Sequence, residues 1–470
     1  MWIRYTGEYG LDGSLWQNQI YTSNATEYAS LSRTLELPSK AEVLAMLHTF
    51  HHSDFAKVFP VLDPSLFHET LTKAYDGKND LARACISAFV AFARACSQGH
   101  LDMANLERLK QTAYALIPGT LEATPRLAVI DTLVLVTVLH YCSGALQTAD
   151  VLLSICVRFL YMVDGHLSPR AHYGDANSMR KAQHYRDLFW ICWTFDAEIS
   201  FRTGRPPAMN GTSCDLTLPA WYLQQPQIDG DQWRYPGDLR LSMIKAEAYQ
   251  KLYSPGALRK PDAEILKDIR ELDEMLETWR QSVSPQNRPP LAYTRDSPSP
   301  RPVRAHWSIL CLEYHHCMGT IHQASSRCKL WDGDNVVQQG VASSHDLALQ
   351  ARRSVLMYFH DVEERMLPHV FWIIVFFPLS AALAIFCNIV SSPPGDETAI
   401  SDARLLAESC HELSKRDGER EVLYPAAQVA HVRHLREFVE ELVMLAKVMV
   451  EEGGKSEEQK RLLEELDTIA

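Results

Sequence analysis

Two Glu and His pairs stand at a spacing that suits metal chemistry. Glu313 precedes His316 by three residues, and Glu408 precedes His411 in the same way. On a helix this spacing places both side chains on one face, and four-helix bundles use it to hold di-iron or di-manganese centres. A helical-bundle metalloenzyme is therefore one hypothesis for this chain.

Chance explains these pairs more simply. A chain of this composition contains about one Glu-x-x-His match at random, and a di-metal centre needs two further glutamates that nothing in the sequence selects. We interpret each pair as an exposed Glu beside a partly buried His. The Gly-x-Ser-x-Gly, phosphate-loop and His-Glu-x-x-His signatures are also missing. We expect no enzyme activity, no metal and no other cofactor in these residues.

The composition limits the class of protein further. The chain has 470 residues and a formal net charge of −12, so it can bury a large core but lacks the basic face that phosphate binding requires. Its 11 cysteines are scattered from Cys85 to Cys410 without a Cys-x-x-Cys pair, which indicates neither a disulfide framework nor a structural zinc module. We expect an intracellular protein that does not bind nucleic acid by itself.

One segment raises the question of a membrane span. Residues 370–390 contain no charged side chain, and that length suffices to cross a bilayer. Pro378 lies in the middle of the segment, and no cluster of Lys or Arg flanks it to set an orientation. We interpret the segment as a buried core helix that is kinked or split at Pro378, and we expect no membrane partner.

The elements around these residues are helices. Apolar residues recur at intervals of three and four through most of the chain, while strand patterns are sparse. The sequence predicts an all-α fold, a large multi-helix, bundle-like domain. The predicted helices cover residues 81–96, 127–139, 149–163, 243–253, 262–279, 305–325, 343–358, 403–414 and 427–450.

The last predicted helix carries a narrow apolar seam. Its members are Leu435, Phe438, Leu442, Leu445 and Met449. Their spacing alternates between three and four residues, but two heptads are too few for an independent coiled coil. We expect the seam to dock on the chain's own core, and a dimer contact is the alternative. An interaction-only protein that uses this seam or the acidic tail is a further hypothesis for the chain.

Residues 189–210, FWICWTFDAEISFRTGRPPAMN, combine aromatic rings with isolated charges. Phe189 and Trp193 lie one helical turn apart, as do Arg186 and Trp190, so the rings form a thick apolar face. We interpret this face as core packing, and an effector cavity around the two tryptophans is the alternative.

The same stretch predicts its own helix end. Gly204 suits the left-handed position after a helix, and Pro206 and Pro207 forbid continuation. Arg205 favours the negative pole of the helix dipole. We expect Arg205 to fold back on Asp196 as a charged latch that fixes the direction of the exit.

These residues resemble a known family when they are taken with two neighbouring motifs. Upstream stands FPVLDPSLF, and downstream CDLTLP follows the Gly-Arg-Pro turn. The combination is similar to the regulatory, or middle homology, region of fungal zinc-cluster transcription factors of the xylanolytic-activator type. The signature residues, to which the resemblance gives structural roles, are Phe59, Pro60, Phe67, Phe189, Trp190, Trp193, Asp196, Gly204, Arg205, Pro206, Leu218 and Pro219.

The resemblance implies a nuclear, all-helical regulator of transcription by RNA polymerase II that responds to a metabolite or a partner. Family members carry a six-cysteine, two-zinc DNA-binding module near the N-terminus, and no such pattern occurs in this sequence. We therefore expect DNA contact only through a missing zinc cluster or one on a partner, with a homodimer or heterodimer and a small-molecule effector as further candidate interactions.

The resemblance and the composition together divide the chain. We expect an N-terminal linker segment over residues 1–36, the regulatory domain over 37–283 and a Pro/Ser-rich loop over 284–302. A C-terminal helical region over 303–452 is expected to pack on the regulatory domain, and an acidic tail covers 453–470.

Overall fold

The computed structural model describes most of the chain as helix. The described residues are 37–53, 56, 59–76, 79–96, 126–169, 175–223, 236–297, 305–328, 335–362, 371–393, 396–415 and 426–452. Within these ranges there is no strand, so the prediction of an all-α fold is confirmed. The linker segment 1–36, positions 298–302 of the Pro/Ser-rich loop and the tail 453–470 lie outside the described residues.

The chain divides into two compact units, Met1–Ser254 and Pro255–Ala470. The described helices of the first unit are α1 (Lys40–His51), α2 (Pro64–Asp76), α3 (Asp80–Cys96), α4 (Leu127–Cys142), α5 (Leu146–Met162), α6 (Ala176–Thr203), the short α7 (Ala220–Leu223) and α8 (Leu239–Ala248). A π-helical turn, Tyr249–Tyr253, extends α8. The domain limits drawn from the sequence at 283 and 303 stay a prediction.

Side-chain caps begin several of these helices. Ser39 and Glu42 form a capping box at the start of α1, each side chain accepting a backbone N–H of the other residue. Asp175 accepts the backbone N–H of Ser178 at the start of α6, and Asp238 does the same for Arg240 and Leu241 at α8. Short polar residues thus satisfy donors that the helices leave unpaired.

Helix α6 runs through the core of the first unit. Every residue from Leu188 to Arg202 is buried, so all faces of this stretch meet protein. Helices α5 and α8 pack against α6, while α4 packs between α3 and α5. The aromatic stretch singled out in the sequence is therefore central to the unit.

The second unit is helical as well. Among its described residues the helices are α9 (Asp262–Ser282), α10 (Ala305–Gln323), α11 (Asn335–Val362), α12 (Phe371–Ile374), α13 (Phe376–Ser391), α14 (Glu397–Lys415) and α15 (Ala426–Glu452). Helices α10 and α11 form the most extensive pair, and α13 packs against α11, α14 and α15.

The apolar segment is split, three residues before its proline. Helix α12 ends at Ile374 and α13 begins at Phe376, because Pro378 has no N–H for the carbonyl of Ile374 and its ring crowds that group. Among the described residues, the stretch Trp372–Ser391 alone is long and apolar enough to cross a membrane, and 56% of its apolar 18-residue window is buried within the chain. Phe377, Ala381 and Ile385 are fully buried, as the core-helix interpretation requires.

The seam predicted on α15 needs correction. Leu442 is buried, but Leu445 and Met449 face outward, and the buried line is completed by Val439 and Ala446. Helices α13 and α14 pack on α15, and the small Ala446 permits close approach on the line that is buried. The three-four spacing therefore identified the helix but assigned part of its apolar surface to the wrong side.

Candidate functional site

The aromatic face of α6 is interior packing. Phe189, Trp190 and Trp193 expose 3% of their surface or less. The rings of Phe189 and Trp190 meet edge to face with 5.2 Å between centroids, and Phe59 of the upstream motif stacks on Phe195 at 6.1 Å. Such contacts join the upstream motif to the helix and contribute to stability beyond burial alone.

The end of α6 follows the sequence prediction. Thr203 is its last residue, and Gly204 adopts a left-handed conformation with φ of 69°. The N–H of Gly204 donates to the carbonyl of Ser200. A Cβ at this φ would be strained, so glycine fits the position for a physical reason.

The latch predicted between Arg205 and Asp196 is wrong. Arg205 Nη1 lies 3.2 Å from Asp150 Oδ2 on α5. Asp196 instead accepts the backbone N–H groups of Ala208 and Met209, at 2.9 and 2.8 Å. The carboxylate lies inside the core where the chain passes back over it, whereas the arginine side chain remains 41% exposed.

Asp196 is electrostatically unusual. Burial raises the pKa of its carboxyl group to about 7, and the nearby Asp150 adds to the rise, while the two backbone N–H donors oppose it. A carboxyl that changes charge near neutral pH therefore holds the turn between α6 and the following segment.

Arg186 holds the next part of the returning chain. Its guanidinium donates to the backbone carbonyls of His166, Asp215 and Thr217, and it lies over the Phe189 ring at 4.5 Å. Because three loop carbonyls converge on one side chain, this arginine anchors the CDLTLP motif to α6.

The other end of that motif starts a helix. The carbonyl of Pro219 accepts the N–H groups of Tyr222 and Leu223, at 2.9 and 3.2 Å. Leu218 and Pro219 are half-buried, as is Pro60 of the upstream motif, while Pro206 is exposed. The signature prolines thus lie in turns rather than in the core.

Phe67 of the upstream motif is a core residue of α2. It is 1% exposed, and its ring meets Phe89 of α3 at 4.9 Å between centroids. The upstream motif thus packs through Phe67 on α3 and through Phe59 on α6.

A buried ion cluster joins α6 to α8. Glu198 forms ion pairs with Arg202 on its own helix and with Lys245 on α8, and all three side chains are 4% exposed or less. Sequence reasoning missed this cluster. Its signal was a Glu and Arg four residues apart inside an apolar helical stretch, where charges must find partners.

A second buried pair lies between α4 and α6. His184 Nε2 is 2.8 Å from Asp131 Oδ1, with both side chains almost fully buried. Asp131 is an acidic residue within the apolar run LAVIDTLVLV, which is the feature that could have revealed it.

The Glu and His residues proposed as metal ligands lie in the second unit, where His316 and Glu408 contact arginine side chains. Arg352 Nη1 lies 2.8 Å from His316 Nδ1, and Glu408 forms an ion pair with Arg295. Glu313 is buried on α10, contrary to the expectation of an exposed Glu, and the side chain of His411 lies outside the described residues. In the part of the chain that the structure covers, no three His, Cys, Asp or Glu residues are grouped to hold a metal.

The arrangement in the first unit is a scaffold for the chain around α6. Asp196 holds the turn after the helix, Arg186 holds the CDLTLP segment, and Glu198 ties α6 to α8. Each of these charged groups binds backbone or another buried charge. Through these hydrogen bonds and ion pairs they fix the position of the main chain.

Comparison with known proteins shows what this scaffold is similar to. Residues 53–281 match the family model described as the fungal specific transcription factor domain. An ABC-transporter-regulating transcription factor of Aspergillus fumigatus is 28% identical over 244 residues, which cover 48% of this chain and 27% of that protein. Its counterpart in Aspergillus oryzae is 28% identical over 250 residues, with the same coverage.

A third relative extends the similarity beyond the first unit. A transcriptional regulatory protein of Schizosaccharomyces pombe is 25% identical over 386 residues, which cover 76% of this chain and 48% of that protein. The chain therefore spans between a quarter and a half of the length of these relatives, at 27% to 48%. The segment that the family model matches, residues 53–281, includes α6 and the turns that it holds.

Proposed function

Because residues 53–281 match the family model described as the fungal specific transcription factor domain, we propose that this chain is the regulatory region of a fungal zinc-cluster-type transcription factor. The region acts in the nucleus on transcription by RNA polymerase II. DNA contact comes from a zinc cluster outside these 470 residues or from one on a partner protein.

The position of α6 within the matched segment carries the proposal. The segment 53–281 contains the whole helix, the turn on Asp196 and the loop on Arg186. A domain whose buried charges hold its own main chain or pair with one another suits a role in restraining or transmitting a signal. The net charge of −12 fits a region that leaves phosphate binding to another module.

The proposal gives this chain no catalytic step and no cofactor. The guanidinium of Arg352 lies against Nδ1 of His316. Its positive charge opposes the binding of a metal cation at that nitrogen. Elemental analysis of the purified protein tests this part, and iron or manganese at one equivalent or more per chain would contradict it.

A reporter assay tests the regulatory role. The chain is fused to an unrelated DNA-binding domain and expressed in a fungal host whose reporter carries that domain's binding site. We expect reporter transcription to change several-fold relative to the DNA-binding domain alone. Trp190→Ala should abolish the change, because a cavity at this fully buried ring costs about 3–5 kcal/mol.

Two results would contradict the proposal. One is a fusion protein that is stable and nuclear but leaves reporter transcription unchanged. The substitution Met275→Ala, at an exposed position, is the matched control for Trp190→Ala. The other concerns DNA contact: sequence-specific binding by the unfused chain in a gel-shift assay at physiological salt would show that no separate zinc cluster is needed.

A further inference from the structure

The outer side of α15 carries an exposed apolar patch. Its members are Met444, Leu445, Val448 and Met449, which are 58%, 44%, 42% and 40% exposed. On a helix the residues at positions 444 and 448, and those at 445 and 449, lie one turn apart, so the four side chains form one continuous surface. We call this surface the α15 patch.

The α15 patch differs from the other exposed apolar residues. Elsewhere in the described part of the chain, the large exposed apolar side chains stand singly or more than two turns apart. Single exposed apolar residues need no explanation, whereas a contiguous patch on a folded surface marks a binding site. The inner side of α15 is meanwhile occupied, since Val439, Leu442 and Ala446 are buried.

Acidic residues stand on both sides of the α15 patch along the helix. Glu437, Glu440 and Glu441 are exposed in the turns before it, and Glu451 and Glu452 follow it in the sequence. Arg436, which lies 3.5 Å from Glu440, and the half-buried Lys447 offset part of this charge on the adjacent row of the helix. Glu437 and Glu441 instead continue the row of the α15 patch, at intervals of three and four residues from Met444 and Val448. The row that contains the α15 patch is therefore negative where Glu437 and Glu441 lie, and a partner that fits it carries Lys or Arg beside an apolar stripe.

A second copy of this helix fits the charges poorly. Antiparallel pairing that sets Met444 opposite Met449 also sets Glu441 opposite Glu452, and parallel pairing sets Glu441 opposite itself. Like charges at such positions oppose association. An anionic lipid surface is disfavoured for the same reason.

We propose that the α15 patch is a docking surface for a basic amphipathic helix of another protein. The apolar stripe of that helix covers Met444, Leu445, Val448 and Met449, and its Lys or Arg residues pair with Glu437 and Glu441. This is helix-on-helix recognition, in which apolar contacts provide affinity and the flanking charges provide orientation.

Peptide binding to the intact chain tests the proposal. The probe is a fluorescent synthetic helix of about 18 residues, five turns long, with a leucine stripe flanked by lysines. We expect its fluorescence anisotropy to rise on binding, and Met444→Glu combined with Val448→Glu to weaken affinity at least tenfold. Because this variant adds negative charge, a loss of binding to a basic peptide reports the apolar contact rather than general attraction.

Three controls define the site. Met275→Glu changes an exposed methionine of the same unit and should leave affinity unchanged. Glu437→Gln with Glu441→Gln should weaken binding about threefold at low salt and reduce its salt dependence. A peptide with glutamate in place of lysine should bind at least tenfold more weakly than the basic peptide. Thermal unfolding of each variant confirms that the fold is kept.

Several outcomes would overturn the proposal. Equal binding of the basic peptide by the Met444/Val448 variant would place its site elsewhere. Sedimentation that reveals self-association, lost in the same variant, would assign the α15 patch to a second copy. Pelleting with phosphatidylcholine vesicles that depends on the same two residues would make it a membrane surface.

Discussion

Helices α6 and α15 have 28 and 27 residues, yet they differ in how much of their surface is buried. Fifteen consecutive residues of α6, from Leu188 to Arg202, are buried. On α15, among the side chains described at 433–449, the buried residues form a narrow line through Val439, Leu442 and Ala446. The first helix is enclosed by its unit, and the second presents an outer side to the solvent.

The two helices also handle charge differently. Glu198 and Asp196 of α6 are buried and bind other groups of the chain, whereas Glu437 and Glu441 of α15 are exposed. A buried charge is costly unless it is paired, and an exposed one costs little. The comparison predicts that substitutions in α6 change folding, while those on the outer side of α15 change binding.

The largest effect is expected at Glu198. Glu198→Ala leaves the buried cations of Arg202 and Lys245 without their shared carboxylate, and breaking such a cluster costs about 3–5 kcal/mol. Urea denaturation followed by circular dichroism measures the loss. Glu441→Ala on α15 is the matched control and should change the free energy of unfolding by less than about 0.5 kcal/mol. Similar losses in both variants would remove the contrast between the helices.

A smaller, pH-dependent effect is expected at Asp196. Its pKa is raised to about 7 in the folded protein from the ordinary value of 3.8, so between these values the folded state binds more protons than the unfolded state. Stability that Asp196 contributes at pH 5 is therefore lost as the pH rises through 7, by on the order of 2 kcal/mol.

Asp196→Asn separates this titration from all others. The amide cannot ionise, so the unfolding free energy of the native protein minus that of the variant should be larger at pH 5 than at pH 8. Denaturation curves at both values give this difference. An equal difference at pH 5 and pH 8 would mean that the carboxyl group has an ordinary pKa in the folded protein.

The ion pair at the end of α6 should matter less. Arg205 and Asp150 are 41% and 23% exposed, and such pairs contribute less than about 1 kcal/mol. A double-mutant cycle with Arg205→Gln and Asp150→Asn should give a coupling free energy in that range that shrinks in high salt. A cycle of Arg205→Gln with Asp196→Asn should be additive. Strong coupling in the second cycle would restore the latch.

Local chemistry made the helices and their ends predictable. The three-four spacing located α9, which was expected over 262–279 and covers Asp262–Ser282. Gly204 and the two prolines after it fixed the end of α6, because φ preferences and a missing N–H act within a few residues. The break before Pro378 follows from the same backbone constraint.

Contacts between distant residues were not predictable in this way. Glu198 and Lys245 are 47 residues apart, and the partner of Asp196 is the backbone twelve residues further along the chain. The packing of the helices decides which charged groups form pairs. A single sequence therefore shows that a buried charge needs a partner, but it does not show which residue that partner is. The prediction of the buried side of α15 was wrong in part for the same reason. The spacing of apolar residues shows which side chains lie in one row, but the neighbouring helices determine which row is buried.

The smallest effect on stability is expected on the outer side of α15. Met444 is 58% exposed, so Met444→Gln removes little buried area and should change the free energy of unfolding by less than about 0.5 kcal/mol. Leu442 lies on the inner side of the same helix and is 6% exposed. Leu442→Ala should therefore cost about 2–3 kcal/mol. Urea denaturation of both variants measures the two sides of one helix under the same conditions. If Met444→Gln lowered the free energy of unfolding as much as Leu442→Ala, the outer side of α15 would belong to the folded core. The contrast in burial between α15 and α6 would then be lost.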